Sequence, residues 1–166
     1  MPTQLTHTEI TNPTTKKELI VVAEEIRSPE NVGMILRVSE AFGCKKVIFL
    51  GDSPDLTNRK VKRTSRSTEK ELEIIFNQDT SITIAHLKSE GFKLLGLEIT
   101  DNSRPLKEFD FSILQKIAVF IGNEKHGIDF PILKELDAIV HFDLFGKNSS
   151  INVVNALSIA LYEITR

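Results

Sequence analysis

The chain has 166 residues, 40% of them hydrophobic and 27% charged, with a formal net charge of −2. That length suits one domain able to bury roughly 70% of its unfolded surface. No apolar run approaches the roughly 18 residues of a membrane span, and the mild acidity argues against a protein that binds nucleic acid over its whole surface.

The opening MPTQLTHTEITNPTTKK lacks the apolar core of a secretory signal. Its Thr, Pro and Asn content reads as a flexible tail over residues 1–16, ahead of a domain spanning 17–166. LIVVAEE, from Leu19 to Glu25, is the first strand, and VGMILRVSEAF follows as a helix. Val32, Ile35, Leu36, Ser39 and Phe42 repeat at helical spacing there, Asn31 is placed to cap the helix and Gly43 to stop it. Cys44 is the only cysteine, which excludes an intramolecular disulfide and suits a reducing, cytoplasmic setting. KKVIFLG is a second short strand and leads through GDSPDLTN into a basic stretch. LEIIF at Leu72–Phe76 reads as strand, SITIAHLKSEG as helix and KLLGLEI as strand. DNSRPLKEFDF is a connecting loop before the strand at Ile117–Ile121. FPILKELD makes a short helix with Pro131 allowed in its first turn, and AIVHFDL is the last strand. SSINVVNALSIALYEITR is the last helix, with Ser149 or Ser150 as its cap.

Short apolar strands alternating with helices predict a single α/β domain with a mostly parallel sheet flanked by helices. In such sheets ligands bind beyond the C-terminal strand ends, which gathers the loops after Leu50, Ile99, Ile121 and Leu144. The familiar phosphate, dinucleotide and hydrolase fingerprints are absent, and the histidines form no ligand spacing with Cys44, so no metal is expected.

Three stretches remain as candidate sites. In NVGMILR, Asn31–Arg37, Gly33 permits close backbone approach, and Arg37 sits among apolar neighbours where a buried guanidinium needs an anion or carbonyl partner. In FIGNEKHGID, an apolar strand runs into a polar loop bracketed by Gly122 and Gly127, compatible with a plain turn or with backbone laid open to a ligand. In FGKNSSINVVNA, Ser149, Ser150 and Asn152 converge on a helix start with its unpaired N–H groups. One serine is explained by capping; Asn152 and Asn155, poor helix formers, are not. The basic stretch NRKVKRTSRSTEK carries Arg59, Lys60, Lys62, Arg63, Arg66 and Lys70 against Glu69, either as a solvated face or as a phosphate-contacting patch.

Taken together and in this order, the stretches resemble the SpoU/TrmH family of SPOUT RNA methyltransferases. NVGMILR with AFG at Ala41–Gly43 resembles the first family motif, Gly122-Asn123-Glu124 with Gly127-Ile128 the second, and FDLFGKNSSINV the third. The resemblance runs from about Leu19 to the C-terminus. It implies S-adenosylmethionine as methyl donor, the ribose 2′-hydroxyl of a tRNA or rRNA as acceptor, a C-terminal trefoil knot and a homodimer without a metal. The cofactor would lie among Leu97, Glu98, Ile121, Gly122, Asn123, Gly127, Leu144 and Ile151. Arg37 would act on the reacting hydroxyl, by binding phosphate and developing oxyanion charge rather than as a base, since guanidinium stays protonated. Ser150 and Asn152 would orient Arg37, Glu124 would hold the loop or pair with Arg37, and Asn31 would complete the polar shell. Phosphate contact then becomes the favoured reading of Arg59, Lys60, Lys62, Arg63 and Arg66. Two departures stand out. Phe142-Asp143-Leu144 replaces Ile-Pro-Met, adding a charge at the cofactor loop, and Ser67-Thr68 stands near a Gly-Ala pair. The alternative is a non-catalytic RNA-binding protein that keeps the fold, with Asp143 as its main support.

Overall fold

In the computed structural model, which describes residues 3–6, 9–148 and 150–166, seven strands form one sheet. They are β1 (Glu18–Glu24), β2 (Lys46–Leu50), β3 (Glu73–Gln78), β4 (Lys93–Leu97), β5 (Arg104–Pro105), β6 (Lys116–Ile121) and β7 (Ala138–His141). Their order across the sheet is β3-β2-β1-β6-β4-β7-β5, and every neighbouring pair runs parallel. The helices are α1 (Pro29–Ala41), α2 (Arg59–Ser65), α3 (Thr80–Ser89), α4 (Phe130–Leu133) and α5 (Val153–Thr165).

The central strands β1 and β6 are apolar on both faces, as a parallel sheet covered on two sides requires. Successive side chains point to opposite faces, so β1 divides between two cores. Leu19, Val21 and Ala23 pack with Ile35 and Leu36 of α1, Val61 of α2 and Leu157 and Leu161 of α5. Ile20 and Val22 pack with Ile84 and Leu87 of α3 and Ile132 of α4. The expected α/β architecture is therefore present.

Three local expectations need correction. Helix α1 starts earlier than predicted: Ser28 is its cap, accepting from the Asn31 N–H at 3.2 Å, with Pro29 at the first helical position. Asn31 therefore lies inside the helix. The cap of α5 is Asn152, whose Oδ1 accepts from the Val154 N–H at 2.8 Å, so Ser150 is not the cap; Ser149 lies outside the described residues. The loop predicted between β4 and β6 contains β5, a two-residue edge strand paired to Val140 and His141. The basic stretch folds as α2, capped by Asn58 and seated against α1. A Cβ on Gly33 would overlap Thr64 and the backbone of Val61 and Ser65, so the close approach predicted for Gly33 is that of a neighbouring helix.

Candidate active site

Because all strands run parallel, their C-terminal ends share one edge, and a cleft of about 410 Å³ opens there. That volume is in the range of small-molecule sites. Leu97, Glu98 and Ile99 after β4 form one wall, the 122–127 loop after β6 a second, and His141, Phe142 and Leu144 after β7 a third. Ser150, Ile151, Asn152, Val153 and Ala156 close it at the start of α5. Of the four loops expected on this edge, the one after Leu50 does not line the cleft.

The loop after β6 is held shut by its own backbone. Asn123 and Gly127 exchange N–H···O bonds of 3.0 and 2.9 Å, forming an isolated antiparallel bridge. The Asn123 side chain accepts from the N–H groups of Lys125 and His126, and its amide donates to the Glu25 carbonyl at 2.8 Å. Gly122 is required because Gly127 and Ile128 pass over it: a Cβ would overlap the Gly127 carbonyl and the Ile128 nitrogen. The Glu98 carboxylate accepts from the N–H of Ile128 at 3.1 Å and of Ile99 at 2.9 Å, tying β4 to the same loop.

The three candidate stretches meet in one chain of hydrogen bonds. Glu124 accepts from the backbone N–H groups of Arg27 and Ser28, each at 3.2 Å, and from the Asn31 amide at 2.8 Å. The Asn31 oxygen accepts from the Asn152 amide at 3.2 Å, and Asn152 in turn caps α5. Burial pushes the Glu124 carboxyl up, but the Asn31 amide and the surrounding N–H groups outweigh it, leaving its pKa below the ordinary value. Beneath this network lies Glu24, only 8% exposed, which accepts from the Asp129 N–H at 3.0 Å and whose pKa is raised, chiefly by burial.

The structure brings most of the candidate residues together. Asn31, Glu124 and Asn152 are linked, and Leu97, Glu98, Gly122, Asn123, Gly127, Leu144, Ser150 and Ile151 line the cleft. Ile121 does not: it is 1% exposed and packs in the core below. Arg37 is also outside the lining. It stands six residues beyond Asn31, about 9 Å along the α1 axis, half-buried and without a hydrogen-bond or ion-pair partner among the described residues. Glu124 is not its partner, and Asn152 orients Asn31 instead. His141, set aside in the sequence for want of a metal-ligand spacing, belongs to the site. It ends β7, lines the cleft and has Nδ1 2.9 Å from the Ser103 hydroxyl, and its place at a strand's C-terminal end was the available signal.

Asp143 turns away from the cleft toward Lys107, 2.7 Å distant, and that ammonium lowers its pKa. The charge that sets Phe142-Asp143-Leu144 apart is thus paired outside the lining, while Phe142 and Leu144 face inward. Arg59, Lys60, Lys62, Arg63 and Arg66 are all exposed on and after α2. Lys60 pairs with Glu30 at 3.2 Å; the others have no ion pair among the described residues. Of Ser67-Thr68, where the departure from Gly-Ala falls, Ser67 holds left-handed backbone, as does Arg66 before it. Among the described residues there is no group of acids, histidines and cysteines that could hold a metal, and no helix long and apolar enough to cross a membrane.

Comparison with known proteins places this architecture. The chain is 27% identical over 151 residues to a 23S rRNA (guanosine(2553)-2′-O)-methyltransferase of Bacillus subtilis, covering 91% of this chain and 58% of that protein. It is 26% identical over 149 residues to the tRNA (guanosine(18)-2′-O)-methyltransferase of Escherichia coli, covering 90% and 63%. The chain thus spans about three fifths of the length of these relatives. Among solved structures, the SpoU methyltransferase AviRb of Streptomyces viridochromogenes in complex with the cofactor AdoMet superposes with a TM-score of 0.83 at 25% identity, over 92% of this chain and 61% of that one. The model of the SpoU rRNA methylase family matches residues 18–162, which takes in the cleft and all three linked stretches, and the chain belongs to that family.

Proposed function

We propose that this protein transfers a methyl group from S-adenosylmethionine to a ribose 2′-hydroxyl of tRNA or rRNA. The observation that carries the reading is the hydrogen-bond chain Glu124–Asn31–Asn152, which fastens all three family stretches around one cleft of suitable size. Its lining fits the cofactor. Leu97, Ile99, Leu144 and Ile151 offer apolar surface for a purine ring, and the strand-end backbone offers polar atoms for its edge. When bound, the cofactor supplies a methyl group on a sulfonium, which the hydroxyl oxygen must approach in line; holding that geometry is the main task left to the protein.

Glu124 and Asn31 fix the loop after β6 against the start of α1, so the cleft and α1 move as one body. Arg37, with no guanidinium N–H bonded among the described residues, is the group available for substrate phosphate and for charge developing on the ribose oxygen. Since it does not line its own chain's cleft, it serves the cleft of a second copy in a homodimer. Ile159 and Tyr162, exposed on α5 beside α1, supply apolar surface for that contact. The cations of α2, on a helix fixed to α1, would hold the RNA backbone. A trefoil knot is supported by the strand order, in which the chain passes over β4 between β6 and β7. Cys44, buried with its thiol pushed up to about 12 chiefly by desolvation, suits a reducing cytoplasm. The non-catalytic reading rested on Asp143 and loses that support, because Asp143 is paired to Lys107 outside the cleft.

Calorimetry with S-adenosylmethionine tests the cofactor, and absence of binding at millimolar concentration defeats the proposal. Labelled donor incubated with bulk tRNA and rRNA tests transfer, with label in an alkali-resistant dinucleotide marking the 2′ position. Arg37→Ala is expected to abolish transfer and leave cofactor affinity within a few-fold. Equal loss of both would make Arg37 structural. A stable monomer in light scattering would remove the homodimer.

A further inference from the structure

A second cleft, of about 490 Å³, lies at the β7–β5 side of the sheet, toward the N-terminal ends of β4 and β7. Lys93, Asn102, Arg104, Lys134 and Asp137 are its polar lining, with Phe109 and Leu133 among the apolar residues. Its hydrogen-bonding capacity is one-sided. Asp137, the only carboxylate in the lining, is already engaged: Oδ1 meets Lys93 Nζ at 3.2 Å and Oδ2 accepts from the Leu94 N–H at 2.8 Å. The Asn102 oxygen accepts from the Thr100 hydroxyl at 2.7 Å, leaving its NH₂ without an acceptor among the described residues. Arg104 and Lys134 have no carboxylate partner among them either. Every side-chain group left over is therefore a donor, and two of the three carry positive charge.

These donors are also held in place. The Arg104 guanidinium lies over the Phe109 ring, 5.1 Å from its centroid, and Phe109 stacks on Phe111. The Lys134 ammonium lies 4.2 Å from the Phe130 centroid. A cation held on an aromatic face keeps its N–H groups directed outward at less entropic cost than one on a free side chain. Strand β7 links this cleft to the candidate active site, with Ala138 and Ile139 lining the one and His141 the other. Arg104 is paired with Val140, and the next residue, His141, lines the first cleft and contacts Ser103 at 2.9 Å.

We propose that the cleft around Asn102, Arg104 and Lys134 is an anion site that takes a phosphate group, supplied by the RNA strand flanking the nucleotide in the first cleft. The RNA source rests on the methyltransferase reading; the anion chemistry does not. A guanidinium, an ammonium and an amide are donors only, and a phosphodiester presents acceptors only. The site lies on the sheet edge away from β2 and β3, so it would grip the RNA at a place distinct from α2.

The test is the double variant Arg104→Gln with Lys134→Gln, set against Lys16→Gln with Lys45→Gln, which removes the same charge from exposed positions elsewhere. Binding of labelled bulk tRNA is followed by anisotropy across salt concentrations, with unfolding midpoints measured for each protein. The site variant is expected to bind roughly tenfold more weakly, with a log–log salt slope shallower by about 0.7 for one lost single-strand phosphate contact, while S-adenosylmethionine affinity holds. A second arm titrates inorganic phosphate into both proteins and the wild type by NMR. If RNA binding is unchanged but phosphate shifts the Asn102 and Arg104 signals in wild type alone, the anion site stands and its phosphate is a free one. No effect in either arm, or an equal loss in the control, overturns the proposal. Wild type that binds phosphate here but neither cofactor nor RNA would defeat the methyltransferase reading and the RNA source, and leave the anion site intact.

Discussion

Replacing Gly122 with alanine puts a Cβ where the carbonyl of Gly127 and the nitrogen of Ile128 already are. Those are backbone atoms and cannot swing aside as the end of a side chain would. Room is made only by opening the Asn123–Gly127 bridge, with its hydrogen bonds of 3.0 and 2.9 Å, and by lifting Ile128 from the core it shares with Phe120 and Ile132. Two hydrogen bonds contribute about 1 kcal/mol each, and partly exposing an isoleucine costs about another 1 kcal/mol. A loss of about 3 kcal/mol is a large share of an ordinary domain's stability and lowers Tm by roughly 6–12 °C. Urea unfolding is expected to show an earlier midpoint with unchanged slope, and calorimetry a loss of S-adenosylmethionine binding while the protein is still folded. Gly146→Ala is the matched comparison, because nothing lies within 4 Å of its Cβ and its backbone is not left-handed. It should stay within about 0.5 kcal/mol of wild type. If the Gly122 variant unfolds at the wild-type midpoint, the overlap is being relieved without cost and the reasoning from backbone contact is wrong.

Glu124, held below the ordinary 4.5, gives stability that is complete above that pH and lost as the pH falls through its lower folded value. Glu124→Gln should cost about 1 kcal/mol at pH 7 and flatten the acid limb of the stability profile; an unchanged limb would show that its hydrogen bonds do not favour the charged form. Glu24 behaves oppositely: its pKa is raised above 4.5, so its contribution is complete below that pH and lost as the pH rises through the folded value. Glu24→Gln keeps an acceptor for the Asp129 N–H and removes the buried charge, so thermal unfolding should occur at higher temperature at pH 8 and be unchanged at pH 4. A lower midpoint at pH 8 would mean that the charge itself is needed. Asp143→Asn should leave S-adenosylmethionine affinity unaltered, because the carboxylate faces Lys107. Weakening by more than about tenfold would return Asp143 to the cofactor site.

Much of the fold was legible in the sequence, because a parallel sheet covered on both faces writes its strands as uninterrupted apolar runs. Leu19–Ala23 and Ile117–Ile121 stand out for that reason and are the two central neighbours. Helix starts were less legible. Ser28-Pro29 carries both a cap residue and a first-turn proline, yet Asn31 drew attention because it stands closer to the apolar repeat. At α5, Ser149 and Ser150 drew the cap assignment away from Asn152, the residue whose side chain does cap the helix. Strand β5 has two residues, one of them proline, too short for any period to register. The order β3-β2-β1-β6-β4-β7-β5 was beyond reach as well, since local patterning says which residues extend and nothing about which runs pair.

The site shows a sharper division. The stretches that family resemblance grouped do meet, but their side chains mostly serve one another. Asn31 spends its amide on Glu124 and its oxygen on Asn152; Asn152 spends its amide on Asn31 and its oxygen on the first turn of α5. Glu124 accepts from three N–H groups across the gap to α1. A side chain so engaged would have to give up a bond to grip a substrate, and each bond returned costs about 1 kcal/mol. These residues are better suited to holding the cleft's shape than to touching the reacting atoms. Arg37 is the opposite case, a half-buried cation from the same stretch as Asn31 with no internal partner among the described residues. The fold leaves its charge uncompensated, and an anionic substrate would supply what is missing.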